Sequence, residues 1–306
     1  MFVRFLLAMV LVLHSFAAFA SDVVSQVFPL ERNGVKLYLE RMQPSGGAPE
    51  KQILLVHGLT YSSHEFDVNA GDYSLMRFLA NNGYSAWLLD IAGYGRSEKV
   101  KDGFMPNSDY AAEDIAAAVK LILESSGQEK TDVLGWSWGT VTAGRFAAKY
   151  PDMIRKLVLY APIAAGLADI EVTDPFKIPD WDHAASDFQV KEDGAVDYDI
   201  VEPLVADTFL SNCWRYDGAG SPNGGRRDLL VSPEERLIPA ASIKAPTFMI
   251  YGSKDEYINV ALCEEAFKML PEGSKFEVVP GAAHAMMMEK PYYKTFRESV
   301  LNFLQN

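Results

Sequence analysis

The chain has 306 residues, of which 49% are apolar and 12% aromatic, and a formal net charge of −13. That is enough apolar surface for a well-buried core, and the length fits one domain carrying an insertion. The acidic surplus repels nucleic acid and anionic membranes, so neither is expected as a partner.

Residues 1–20 read as a cleaved signal peptide. Arg4 gives a short positive start, Phe5 to Leu13 an uninterrupted apolar run, and Ala18-Phe19-Ala20 the small-x-small pattern of a cleavage site. Ser21 and Asp22 would begin the mature chain. The run is shorter than the roughly 20 residues of a comfortable membrane span. Export to the periplasm or beyond is expected, with no stable membrane span after cleavage; a retained amino-terminal anchor is the rival. The two cysteines, Cys213 and Cys263, are too few and too far apart in the chain for a thiolate zinc site or a C-x-x-C pair. One disulfide or two buried thiols both remain open.

Residues 27–43 alternate about Asn33-Gly34, the pattern of a hairpin. Ile53-Leu54-Leu55-Val56 is a short continuous apolar run, as in a strand buried on both faces, and it ends at His57-Gly58. A helix is expected over Tyr73–Asn82, a strand over Ser85–Leu89 and a helix over Asp109–Ser125. A strand over Asp132–Gly135, a helix over Thr140–Lys149 and a strand over Leu157–Tyr160 follow. The rhythm resumes with strand Thr247–Tyr251, helix Ala261–Leu270, strand Phe276–Val279 and helix Tyr293–Leu304. Such alternation calls for an α/β fold, a mostly parallel β-sheet flanked by helices. The stretch 162–240 breaks it, being rich in Asp, Pro and Gly and carrying Trp181, Phe188, Tyr198, Phe209, Trp214 and Tyr216. A structureless loop of that length is improbable. The expected organisation is a core from 21–161 and 241–306 with a cap insertion at 162–240.

Gly135-Trp136-Ser137-Trp138-Gly139 fits G-x-S-x-G after a strand and before a helix. A serine there sits on a tight strained turn that projects Oγ above the sheet, with glycines where a side chain would clash. Serine needs a base held near it. His284 follows the last strand, and loops after parallel strands gather at one edge, where Ser137 and His284 can meet. The third member is a carboxylate that holds the imidazole in its working tautomer. Asp255 follows the second-last strand, in the order Ser, Asp, His; Glu256 and Asp169 are its rivals.

These motifs, with His57-Gly58-Leu59 and Asp90-Ile91-Ala92-Gly93-Tyr94-Gly95-Arg96-Ser97, make the chain resemble the α/β-hydrolase family, in its cap-bearing branch of serine esterases and lipases. The resemblance spans about residues 28 to 304; only the cap lacks a motif that matches. It implies an oxyanion hole from the backbone amides of Leu59 and Trp138, with His57 shaping the loop. It implies catalysis by Ser137, Asp255 and His284, and no metal or organic cofactor. Asp90 to Ser97 reads as a turn, since no lysine-bearing helix follows to make a phosphate loop. Trp138 resembles the tryptophan after the nucleophile of haloalkane dehalogenases, but those enzymes attack with aspartate. Trp136 and Trp138 are expected to wall the pocket or pack beneath it, and Met286-Met287-Met288 to lie in the core. Arg226 and Arg227 can receive a substrate carboxylate, though a solvated turn is the preferred reading.

The expected reaction is hydrolysis of a small-molecule carboxylic ester or lactone through an acyl-enzyme, with an apolar or aromatic acyl group. The alternative is a serine aminopeptidase or amidase on the same triad, in which a cap acid such as Glu171, Asp174, Glu192 or Glu202 meets the substrate ammonium. A non-catalytic binding module is the third reading, disfavoured because no triad member is missing.

Overall fold

The computed structural model describes residues 23–306; the expected signal peptide lies outside the described residues. Strands β1 (Val23–Arg32) and β2 (Val35–Pro44) form the hairpin. Asn33 and Gly34 turn it with φ of 52° and 77°, left-handed values that Asn and Gly tolerate and that match the twist of paired strands. Then come β3 (Lys51–Val56), α1 (Leu75–Asn81), β4 (Tyr84–Asp90), α2 (Ser108–Ser126), β5 (Thr131–Trp136), α3 (Trp138–Lys149) and β6 (Ile154–Tyr160). After residue 240 the alternation continues as β9 (Thr247–Gly252), α7 (Val260–Lys268), β10 (Lys275–Val279) and α8 (Tyr293–Gln305).

Eight of these strands form one sheet in the order β1-β2-β4-β3-β5-β6-β9-β10. Pairings from β4 to β10 are parallel, and β1-β2 and β2-β4 are antiparallel. The fold class is therefore the expected one, a mostly parallel α/β sheet flanked by helices. Its central strands read as unbroken apolar runs because helices pack on the sheet: α2 against α3, and α1 against α8. Polar caps set the helix starts. Ser74, Asn107 and Asn259 each accept from an amide in the first turn of α1, α2 and α7. Cys213 and Cys263 are free, buried thiols, which closes the disulfide alternative. Met286, Met287 and Met288 are buried in the core as expected. Among the described residues no helix is long and apolar enough to cross a membrane.

The segment 162–240 holds α4 (Trp181–Ala185), α5 (Pro203–Asp217) and α6 (Gly224–Leu229). Its two short strands, β7 (Phe176–Lys177) and β8 (Ser221–Pro222), pair antiparallel. A buried carboxylate at the end of α5 helps tie it to the core. Asp217, at the last position of α5, is fully buried and accepts from Ser62 N (3.0 Å), Ser62 Oγ (3.0 Å), His64 Nε2 (3.1 Å) and Gly95 N (2.9 Å). Burial opposes its charge, but the His64 ring and the amides outweigh that and hold its carboxyl below the ordinary value.

Asp217→Ala strands two buried amides and a hydroxyl at once. The expected loss is about 3 kcal/mol of unfolding free energy, read from a lowered urea midpoint at unchanged slope. A loss under about 0.5 kcal/mol would mean that water replaces the carboxylate there and that the segment is held by other contacts.

Candidate active site

Ser137 is the single residue between β5 and α3 and has φ 56° and ψ −121°. Few non-glycine residues adopt that conformation, and where they do the surrounding structure enforces it. Here the enforcement is steric. A Cβ on Gly135 would lie 2.1 Å from Gly139 O, and one on Gly139 would lie 2.4 Å from Val56 O. Only glycine lets α3 cross so close to β3 and β5. Ser137 N donates to Tyr160 O (3.0 Å) and Thr140 Oγ1 donates to Ser137 O (2.6 Å), so both flanks of the turn are fixed.

The loop after β9 carries Asp255 and the loop after β10 carries His284. Lys254 N donates to Ala282 O (2.9 Å) and Gly281 N to Ser253 Oγ (2.8 Å), which locks the two loops together. His284 Nδ1 lies 2.8 Å from Asp255 Oδ2, and Asp255 Oδ1 accepts from Tyr257 N (3.1 Å). The rivals Glu256 and Asp169 are exposed and neither pairs with His284. The backbone of His284 is held as firmly as its ring: its carbonyl accepts from Tyr160 Oη (2.6 Å) and Trp136 Nε1 (3.2 Å).

Ser137 and His284 line the same cavity of about 180 Å³, with Leu59, Tyr257 and residues of the 162–240 segment. No hydrogen bond joins Ser137 to His284 among the described residues. Such contacts are often long until substrate arrives. His284 also borders a larger outer cavity of about 620 Å³, which shares Asp187 and Tyr257 with the inner one.

The backbone expected to supply the oxyanion donors lies close to Ser137. A Cβ on Gly58 would lie 3.3 Å from Ser137 Cβ, so the Gly58-Leu59 backbone passes directly over the nucleophile turn. Gly58 N is occupied, donating to Glu65 Oε1 at 2.7 Å. The amides of Leu59 and Trp138 have no protein acceptor among the described residues. Glu65 is buried, which raises its pKa well above the ordinary value despite that amide bond. His57 shapes the loop, as expected: its Nε2 accepts from Ile91 N (3.1 Å), which places the proton on Nδ1, 2.8 Å from Gly58 O. Burial depresses its pKa, so it stays neutral.

A model of the serine aminopeptidase, S33 family (Hydrolase_4) matches residues 47–291. The chain belongs to that family. This S33 family member is similar to a non-heme haloperoxidase of Rhodococcus erythropolis, 24% identical over 84% of this chain and 93% of that one. It is also similar to epoxide hydrolase 3 of Xenopus tropicalis, 20% identical over 81% of this chain and 70% of that one. The solved structure of an esterase from a Rhodococcus species superposes with a TM-score of 0.66 at 17% identity, covering 92% of this chain and 98% of that one. The fold is that of the α/β-hydrolases, and family membership supports hydrolase activity without fixing the bond.

Several further groups surround the cavity. Trp136 and Trp138 do not wall the cavity; both pack beneath it, Trp136 stacked on Tyr160 at 5.5 Å and Trp138 bonded through Nε1 to Ser108 Oγ at 2.9 Å. Asp187, from the 162–240 segment, reaches both cavities, and its pKa is raised to about 6 by burial and the Asp255 charge, against the pull of His284. His183 and Arg226 also line the inner cavity. For Arg226 the solvated-turn expectation is overturned, because α6 presses against Trp138. Arg227 is exposed as expected.

His284 carries a directional test. Burial alone would depress its pKa, but the charge and hydrogen bond of Asp255, with the Asp187 charge, raise it above the ordinary value. An imidazole NMR titration should give a midpoint above about 6.5, moving down in Asp255→Asn. A midpoint unchanged in that variant would mean that the contact exerts no field on the ring.

Proposed function

We propose that this protein is a serine hydrolase that cleaves a small carboxylic ester or lactone, with the 162–240 segment as a cap over the site. The observation that carries the reading is the strained Ser137 turn facing the cavity that His284, paired to Asp255 at 2.8 Å, also lines. His284 Nε2 takes the Ser137 proton as Oγ attacks the carbonyl. Asp255 stabilises the imidazolium, and the Leu59 and Trp138 amides receive the oxyanion. His284 then protonates the leaving alcohol, and water attacks the acyl-enzyme by the same route in reverse. The relatives' names span esterase, epoxide hydrolase and haloperoxidase, so the choice of an ester rests on the site chemistry.

The aminopeptidase reading keeps the triad, agrees with the description of the matching family and has one structural observation in its favour. Asp187 brings a carboxylate into the cavity, which a substrate ammonium needs. None of the acids expected for that role, Glu171, Asp174, Glu192 or Glu202, lines either cavity. Against it stands Arg226 in the same small space, which repels a cation.

Purified enzyme should hydrolyse p-nitrophenyl butyrate and leave amino-acid p-nitroanilides nearly untouched; the reverse preference selects the aminopeptidase. Fluorophosphonate should label Ser137, and Ser137→Ala should lose both the label and about 10⁴-fold or more of kcat. Because only the neutral imidazole can accept the proton, kcat/KM should rise with pH through an apparent pKa above about 6.5. Export is part of the same reading: the secreted or periplasmic form should begin at Ser21, and an intact Met1 start on the mature protein overturns it.

A further inference from the structure

Arg226 is the one cationic side chain on the inner cavity whose charge does not depend on pH. Its position is built with unusual closeness. A Cβ on Gly225 would lie 2.5 Å from the Trp138 indole, and one on Gly224 would lie 2.6 Å from Pro106 O, so the paired glycines let α6 seat directly on the core. Asp228 Oδ2 accepts from Ser108 N (2.7 Å) and Tyr94 Oη donates to Pro222 O (3.0 Å), which fixes both ends of that seat. Two of the five guanidinium N–H groups are spent, one on Asn223 Oδ1 and one on Thr60 Oγ1. The other three have no acceptor among the described residues, and no carboxylate pairs with the group. Burial pulls its pKa down, and the neighbours that pull it back are the phenols of Tyr94 and Tyr61, not acids. A half-buried guanidinium without a counter-charge gains from an arriving anion through charge-assisted hydrogen bonds.

The stereochemistry of the reaction says which part of the substrate meets it. The leaving alcohol must face His284, which protonates it; His284 borders both cavities, and of the two only the smaller is also lined by Ser137. With the alcohol in the larger cavity, the acyl chain takes the smaller one, which Ile163, Leu167, Leu229 and Leu230 line together with Arg226. Its volume of about 180 Å³ confines it to a short acyl chain. Among the described residues Asp187, the acid on that cavity, acts on His284 and forms no ion pair with Arg226, whose two hydrogen bonds go to Asn223 and Thr60.

We propose that Arg226 is a specificity-determining residue that binds a carboxylate at the far end of a short acyl chain, so the favoured substrate class is the half-ester of a short dicarboxylic acid. The inference rests on the ester-hydrolase reading and narrows its acyl group from apolar or aromatic to anionic. Thr60 supplies the rival account. With φ 82° it is a strained β-branched residue beside the oxyanion loop, and Arg226 holds its hydroxyl. A purely positioning Arg226 would serve every ester equally.

Monoethyl glutarate and ethyl valerate share chain length and differ in the terminal charge, and acid release from each can be followed by pH-stat. Wild type should favour monoethyl glutarate by about tenfold or more in kcat/KM, mostly through KM. Arg226→Met should lose about 100-fold on monoethyl glutarate and no more than about threefold on ethyl valerate. Arg226→Gln, which keeps an amide donor for Thr60, should show the same selectivity change; free glutarate should inhibit wild type better than valerate, a comparison that needs no variant. Equal losses on both esters, or a wild type that prefers ethyl valerate, overturn the inference and leave the hydrolase reading standing. So does turnover of neither ester while fluorophosphonate still labels Ser137. Absence of both turnover and label sinks the two together.

Discussion

The close crossing of α3 over β3 and β5 is the constraint on which the rest of the site depends. It exists only because Gly135 and Gly139 have no Cβ to collide with Gly139 O and Val56 O. The crossing forces Ser137 to φ 56° and leaves the Trp138 amide free at the start of a helix, where the backbone dipoles favour negative charge. It also brings the Gly58-Leu59 backbone over the serine, since the carbonyls that abut Gly139 belong to Val56 and His57. One steric requirement therefore sets the Ser137 hydroxyl and the Leu59 and Trp138 amides together. Neither donor depends on its own side chain.

The polar groups around that crossing form a graded series. Asp255 is paired on both oxygens and acts on His284; Glu65 is buried and spends one oxygen on Gly58 N. Asp217 satisfies four donors and joins α5 to the loop after β3. Arg226 and Asp187 stand apart because they face the cavity with capacity to spare. Buried polar groups in native structures are nearly always satisfied, so a group left partly open beside a nucleophile marks where substrate completes the set.

The core was legible because its signals are local. Ile53 to Val56 is apolar throughout since both its faces are covered, and Ser137 is bracketed by glycines that only a strand-turn-helix explains. Asp255 and His284 are far apart in sequence, yet each follows a strand of a parallel sheet, which places both at one edge. The 162–240 segment gave no such purchase. Its defining contacts pair residues more than a hundred positions apart, Asp217 with Ser62 and Arg226 with Thr60. Nothing near Arg226 in the chain distinguishes it from its exposed neighbour Arg227. The faint signal was the pair Gly224-Gly225, which a solvated turn does not need and a helix pressed onto an indole does.

The net charge of −13 bears on how such a site would take an anion. The overall field opposes the approach of a carboxylate, but at physiological salt it is screened beyond about 8 Å. Inside the cavity screening is weak, and the local guanidinium outweighs a diffuse surface charge that acts through water. On the proposed reading, affinity for an anionic acyl group is a property of the Arg226 contact, while the acidic surface acts mainly on the encounter rate. Added salt would then speed association with an anionic ester, by damping the repulsion outside, and leave the contact within largely intact. A solvated surface arginine would give the opposite dependence, because salt would weaken the attraction itself.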